Sequence, residues 1–391
     1  MPERNLTVAK RPHITFSCVN LRYGGSERVM LEYIASLAEL PVDISVVFQD
    51  FPSERFLEEE LRVRNPNIRH VVHLDRSLDA GLWLLKQRPE LLVIVWPTRR
   101  ILKALKFLHR FRLGPRVLGI LHEHYETHLR DYQPVARVVE SWVLCWDFRE
   151  RVRAMLGSQE VQVIFPLFKA YRGSSRAPLS CENARDRLGI PRDGFVVGYL
   201  GRLDHHKELG RLISLAEMLQ PHLASPVHVL IAGLPRTGVL ESLHEDRERS
   251  PLRDRIHLRG AQPDLLDLLP ALDLHVMTSR QEGFLPFSTL QAMEHGIPVA
   301  TTTVGGSSQV LGDRTGVLMI YTEDDQLSVT DEALQNAAAR IARTFQDPGA
   351  RDRLGLMMAA LAHKLTCKAD NHRTVRIFFQ GILWNSGNIH V

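Results

Sequence analysis

The sequence predicts an α/β protein made of two doubly wound, parallel-sheet domains facing a cleft. Three observations carry that expectation. The chain has 391 residues, too many for one ordinary core, so two domains is the natural division. Short apolar runs alternate with amphipathic stretches in two separate series, the pattern of parallel sheets covered by helices on both faces. Between the series, 166–191 lapses into "PLFKAYRGSSRAPLS" and a short polar helix, a composition suited to a linker.

In the first series strands are expected at His13–Val19, Asp43–Phe48, Ile68–Leu74, Leu91–Trp96, Val117–Leu121, Val143–Cys145 and Val161–Phe165. Helical spacing fills the intervals. In "SERVMLEYIASLAEL", Val29, Ile34, Leu37 and Leu40 fall on one face. In "TRRILKALKFLHRFRLGPR", Arg99, Lys103, Lys106 and Arg110 share one face, and Ile101, Leu105, Leu108 and Phe111 another. That pattern suits a helix packed on its sheet with a solvated cationic face, or one whose cations also touch anionic lipid. The second series reads "GFVVGYLG" (194–201), "VHVLIAG" (227–233), "RIHLRG" (255–260), "LDLHVMT" (272–278), "IPVATTT" (297–303) and "GVLMIY" (316–321), and a helical tail ends in "VRIFFQGILWNSG".

Composition narrows the class. Hydrophobic residues make up 44% and charged residues 24%, as in ordinary globular chains. Apolar runs such as "LLVIVW" fall far short of the ~20 residues a membrane span needs. The opening "MPERNLTVAKRPHITF" has no apolar core of signal-peptide length, so an intracellular, cytoplasmic chain is expected. Cys18, Cys145, Cys181 and Cys367 are scattered without metal-ligand spacing and read as reduced thiols. A net charge of +4 does not call for nucleic acid. Residues 1–170 hold 25 Lys and Arg against 20 Asp and Glu, and the remainder 24 against 25, so the basic excess sits in the first half.

Ligands of doubly wound sheets bind at the carboxyl ends of strands, which directs attention to the loops there. "GRLDHHKE" places Arg202 and Lys207 after a strand; Arg grips two oxygens as a fork and Lys adds a point charge, a pair suited to a diphosphate. Two solvated loop cations satisfy the same pattern. In "SRQEGFLPFSTLQAMEHGIPVATTTVGG" (Ser279–Gly306), Gly283 permits close backbone approach and a helix opening near Pro286–Ser288 points amides at a ligand. Glu282 there accepts hydrogen bonds either from ligand hydroxyls or from local amides. "VGGSSQVL" opens another helix with Gly305, Gly306 and Ser307, as a phosphate loop or a plain tight turn.

In the first half, "NLRYGGSERV" opens a helix at Gly24–Gly25 without the G-x-G-x-x-G spacing of a dinucleotide fingerprint, which leaves a nicotinamide oxidoreductase a distant reading. "LHEHYETH" offers His122, Glu123 and His124 at a strand end. There is no Asp-x-Asp pair to clamp a metal and diphosphate, no G-x-S-x-G elbow and no P-loop.

The order of these signals is more specific than any one of them. "GG.ERV" after strand one, a loop histidine, "GRL....K", "SRQEGF…QAMEHGIPV" and "VGG" follow in sequence, and together they resemble the retaining GT-B glycosyltransferases of family 4 (group 1), most specifically over 197–318. The resemblance implies Rossmann-like domains at 1–168, for the acceptor, and 169–371, for a nucleotide-diphosphate sugar, with a helix at 372–391 crossing back to the first. It implies that Arg202 and Lys207 bind the diphosphate, and that Glu282 with the amides of Gly283, Phe284, Leu285, Pro286 and Phe287 holds the transferred sugar, proline contributing backbone only. Gly24 and Gly25 would approach donor phosphate and acceptor across the cleft, and His122 matches the active-site loop histidine. The donor is a substrate; no metal or other cofactor is implied. The acceptor would be a glycan or lipid-linked precursor, met at the inner face of the membrane.

Two departures stand out. The family repeats a glutamate eight positions after the first; here that position is Leu290, and the aligned "EAM" reads "QAM", which puts Gln291 nine positions on, with Glu294 beyond it. The asparagine usual after the last first-domain strand is missing from "VIFPLF". A sugar-nucleotide epimerase and a catalytically inactive GT-B partner subunit are the rival readings.

Overall fold

Strand and helix alternate twice along the chain, and each series closes into its own sheet. The structure, a computed structural model, describes residues 11–21, 25–50, 53, 55, 57–122, 126–157, 160–164, 180–262, 265–312, 318–320 and 328–384. Gly24, Glu123, His124, most of the expected linker and the ends of the expected strand 316–321 lie outside the described residues. Two units result: Met1–Lys169 together with Cys367–Val391, and Ala170–Thr366.

The first unit contains β1 (His13–Ser17), α1 (Gly25–Ser36), β2 (Asp43–Phe48), α2 (Glu58–Arg64), β3 (Ile68–His73), α3 (Ser77–Gln87), β4 (Leu91–Ile94), α4 (Arg99–Arg110), β5 (Arg116–Leu121), α5 (Glu126–Tyr132), β6 (Val139–Leu144), α6 (Arg149–Leu156) and β7 (Glu160–Val163). All pairs are parallel, in the order β3-β2-β1-β4-β5-β6-β7. Central strands are buried along their whole length, β2 and β4 among them, because helices cover both faces. That is why they read as unbroken apolar runs rather than alternating ones.

Two elements differ from the sequence expectation. Strand β6 starts at Val139, not Val143. Glu140 and Ser141 interrupt the apolar run, yet Glu140 stands exposed beside Arg116 at 2.8 Å and Ser141 is covered. Phe111 does not share the packed face of α4. Ile101, Leu102, Ala104, Leu105 and Leu108 are buried there, but the helix ends at Arg110 and Phe111 leaves the helical period into solvent.

The second unit contains α7 (Cys181–Leu188), β8 (Phe195–Leu200), α8 (Leu209–Leu219), β9 (Val227–Ala232), α9 (Val239–Arg249), β10 (Ile256–Arg259), β11 (Leu274–Met277), α10 (Phe287–Glu294), β12 (Val299–Thr302), α11 (Ser307–Leu311), β13 (Leu318–Ile320), α12 (Asp331–Phe345) and α13 (Ala350–Leu365). Its parallel sheet runs β10-β9-β8-β11-β12-β13. Val197, Val229, Val276 and Ala300 pack with Leu212, Ala216, Leu334 and Ile341 in its core. Beyond α13 the chain rejoins the first unit through α14 (Lys368–Trp384). Phe378 and Phe379 are buried, with the Phe379 ring 6.2 Å from Phe16 and 6.4 Å from Tyr33. Arg116 donates to the Ile382 carbonyl at 2.7 Å.

The strand order decides where a ligand goes. In the second sheet, β8 leads out to β9 on one side and its other neighbour is β11. The chain diverges between β8 and β11, and their carboxyl ends bound the crevice where such sheets take ligands.

Candidate active site

The loops after β8 and β11 meet at that switch point and carry the three expected charged residues. Lys207 Nζ donates to Glu282 Oε1 across 75 residues of sequence, and both side chains are buried. Burial alone would pull the Lys207 ammonium down, but the Glu282 carboxylate outweighs it and holds the lysine above its ordinary value. Neither buried charge is left uncompensated. Arg202 stands differently, with its side chain 56% exposed and 3.3 Å from Asp204.

Backbone ties hold the two loops together. Thr278 Oγ1 donates to the carbonyls of Lys207 and Glu208, each at 3.1 Å. The Arg280 amide donates to the His206 carbonyl at 3.0 Å. Gly305, at φ +58°, packs against the Glu282 backbone so closely that a Cβ would sit 2.5 Å from the Glu282 carbonyl oxygen. The "VGG" stretch is thus a tight turn that lets the Glu282 loop lie down. Gly233, at φ +147°, does the same for the β8 loop, where a Cβ would lie 1.7 Å from the Gly201 carbonyl oxygen.

Helix α10 follows directly. Its N-cap is Pro286, which makes no side-chain capping bond, and its first turn follows Glu282 by five residues. Leu285 is buried and Phe284 and Phe287 half-buried, so only the backbone of Leu285 can serve a ligand. Leu290, in the position of the family's second glutamate, is a core residue. Gln291 is half-buried, and its side chain makes no hydrogen bond among the described residues. Glu294 does not replace it, because α13 packs against its helix and burial pushes its pKa up to about 7.

Several supporting residues carry no motif of their own. Asp204 is buried and lies 3.3 Å from Arg202, 3.3 Å from His206 and 3.4 Å from Arg236. Burial alone would raise its carboxyl, but these cations hold it below the usual carboxylate value. The acid two places after Arg202 in "GRLD" was the available signal. Tyr199, buried on β8, donates to the Arg202 carbonyl at 3.3 Å and bonds Ser288 in the first turn of α10. Beside it His275 stacks at 5.7 Å and meets Thr289 Oγ1 at 3.3 Å. Burial, with Lys207 nearby, drives His275 down to about 3, so it is neutral. Tyr199 and His275 read in the sequence as ordinary strand residues.

Two expected residues belong to the first unit. Gly25 opens α1 after β1, and His122 follows β5. The His122 ring is buried, stacked on Trp96 at 6.4 Å, with Nδ1 3.2 Å from Cys145 Sγ. Burial lifts the Cys145 thiol to about 12. The thiol therefore stays protonated and meets Nδ1 as a neutral group.

Glu294 yields a stability prediction. The folded chain holds its proton to about pH 7, whereas an unfolded glutamate releases it near ~4.3. Raising the pH from ~5 to ~8 should therefore cost on the order of 1–2 kcal/mol, discounted for partial exposure, and Glu294→Gln should remove that slope. Urea titrations of both proteins across this range check it; equal slopes would contradict the assignment.

Two units of this topology define the GT-B class. Solved structures agree on the fold. Anabaena HepE, in complex with UDP, matches at TM-score 0.75 and 18% identity over 95% of this chain and 100% of that one. Sucrose-phosphate synthase from Thermosynechococcus elongatus matches at 0.74 and 17% over 96% and 100%. Residues 194–342 match the family described as "Glycosyl transferases group 1", so the second unit is a group 1 glycosyltransferase domain. A D-inositol 3-phosphate glycosyltransferase of Corynebacterium urealyticum is 31% identical over 39% of this chain and 37% of its own length. The lipopolysaccharide core biosynthesis mannosyltransferase LpsB of Rhizobium meliloti is 30% identical over 40% and 45%. The chain thus spans less than half the length of these two relatives.

Proposed function

We propose that this chain is a retaining glycosyltransferase that moves a hexose from a nucleotide-diphosphate sugar to a hydroxyl acceptor without a metal. The observation that carries the reading is the Lys207–Glu282 pair at the β8/β11 switch point, in the loop that leads into α10. A donor sugar is bonded directly to its diphosphate. A cation for the phosphate and a carboxylate for the sugar hydroxyls must therefore lie next to each other, as these two do.

In the reaction the bond from the anomeric carbon to the diphosphate oxygen breaks, and the acceptor oxygen bonds to that carbon on the same face. The acceptor proton passes to the departing diphosphate. Arg202 and Lys207 stabilise the negative charge that grows on the leaving group, and Glu282 with the α10 amides fixes the sugar. His122 and Gly25 belong to the first unit, which takes the acceptor. No protein nucleophile is required, which supports retention by front-face attack. No Asp-x-Asp pair stands ready for a metal, so the two cations take the diphosphate charge.

Relatives that act on lipopolysaccharide core and inositol phosphate support a glycan or lipid-linked acceptor, used by a cytoplasmic protein at the inner face of the membrane. No helix among the described residues is long and apolar enough to cross a membrane, so contact there would be peripheral.

Thermal unfolding with UDP, GDP, ADP and their sugars tests the reading, since a ligand of the folded state raises its stability. One nucleotide, UDP first in view of the solved complex, should raise the melting temperature, and its sugar should be released onto an added acceptor. No shift with any nucleotide would overturn the proposal. A shift without release would point to a binding subunit, and sugar conversion without acceptor to an epimerase.

A further inference from the structure

The carboxyl end of α4 has a surface that the transfer reaction does not use. Phe107 is 61% exposed, Phe111 56% and Leu113 59%. The two phenylalanine rings lie 5.1 Å apart, centroid to centroid, so they form one protruding apolar patch. Around it stand Lys103, Lys106, Arg110 and Arg112, all exposed and without an ion pair among the described residues. By contrast Arg100 and Arg116 of the same stretch are held by Asp50 and Glu140, each at 2.8 Å. No acidic residue occurs between Glu90 and Glu123, so the stretch that forms the patch carries no negative charge of its own.

The turn that presents it is strained. Arg112 sits at φ +58°, a left-handed conformation that costs an ordinary residue ~1–2 kcal/mol and favours glycine. The Phe111, Arg112 and Leu113 amides donate back to the carbonyls of Leu108 and His109, at 3.0 to 3.1 Å. The chain thus keeps a cation where glycine would be easier and turns an aromatic and a leucine outward on either side of it.

We infer that this tip docks on an anionic lipid surface, with Phe107, Phe111 and Leu113 entering the headgroup boundary and the four cations meeting lipid phosphates. Exposed aromatics ringed by unpaired cations fit a surface that is negative outside and apolar beneath. A soluble acidic partner would satisfy the cations but leave three large apolar side chains without a purpose. The inference deepens the membrane-side acceptor reading above and rests on it for its biological sense. Its measurement needs neither donor nor acceptor.

Flotation of the full chain with vesicles of phosphatidylglycerol and phosphatidylcholine, or phosphatidylcholine alone, tests it at low and high salt. The wild type should bind the anionic vesicles and bind the neutral ones at least ~10-fold more weakly, with binding reduced by salt. Lys103→Glu with Lys106→Glu should lower partitioning by about fivefold or more per residue. Phe107→Ser with Phe111→Ser should lower it about tenfold and leave the remainder salt-sensitive. Both variants should melt like the wild type and keep any nucleotide-induced shift, so a failed donor reading would remain distinguishable. Equal binding to neutral and anionic vesicles, or unchanged binding by the phenylalanine variant, would overturn the inference. So would a wild-type dimer on size exclusion that the phenylalanine variant dissolves, since the occupant would then be a second copy of the chain.

Discussion

Lys207→Ala is expected to lower the transfer rate by roughly 30- to 1000-fold, the ~2–4 kcal/mol of barrier that one charge-assisted contact to a developing anion supplies. It should also destabilise the second unit. Lys207 and Glu282 are buried together, and removing one partner of such a pair leaves an uncompensated charge, an effect of about 3–5 kcal/mol. The two losses can be separated. Arg202→Ala should lose transfer with little change in melting temperature, because that side chain is 56% exposed. Lys207→Met combined with Glu282→Gln removes both charges, and should recover the melting temperature without recovering transfer. Near-normal turnover by folded Lys207→Ala and Arg202→Ala proteins would end the diphosphate assignment.

The second large effect belongs to Glu282. Glu282→Gln keeps the shape and one acceptor oxygen but loses the charge, so hydrogen bonds to sugar hydroxyls weaken and Lys207 is left buried without its anion. A loss of roughly 100-fold in transfer is expected, on the scale of ~2–4 kcal/mol for a preorganised polar contact. Gln291→Ala should do far less, about fivefold in nucleotide affinity, the ~1 kcal/mol of a neutral hydrogen bond. Gln291→Glu should tighten nucleotide binding, since a charged acceptor for the ribose hydroxyls is roughly twice as strong as a neutral one. Nucleotide affinities by calorimetry, set beside single-turnover transfer rates, give the ranking. If both Gln291 variants bind nucleotide like the wild type, that residue is only part of α10, and the motif rests on Glu282.

Much of this was legible in the amino-acid order. Strand positions followed from apolar runs, because parallel strands covered on both faces have no polar side to betray them. Val227–Ala232 and Asp43–Phe48 are buried from end to end. The loops holding Arg202, Lys207 and Glu282 were legible because glycines and charges directly after strands are local features. Strand β6 was half missed because Glu140 takes its ion pair from β5, a neighbour that sequence distance hides.

What only the tertiary structure decided is pairing and direction. Nothing in the chain order shows that Lys207 and Glu282 neutralise each other, because the contact exists only once β8 and β11 are neighbours in the sheet. Helical spacing put Phe111 on a packed face, but the backbone left the helix at Arg110 and turned it outward. Glu294 looked available beside Gln291 until α13 covered it and burial raised its pKa to about 7. Gly305 looked equally fit for a phosphate or a turn until the Glu282 backbone came to lie against it. Residue type and spacing determine which groups a loop can offer. Contacts between segments far apart in sequence determine which of those groups are free, which are neutralised and which way they face.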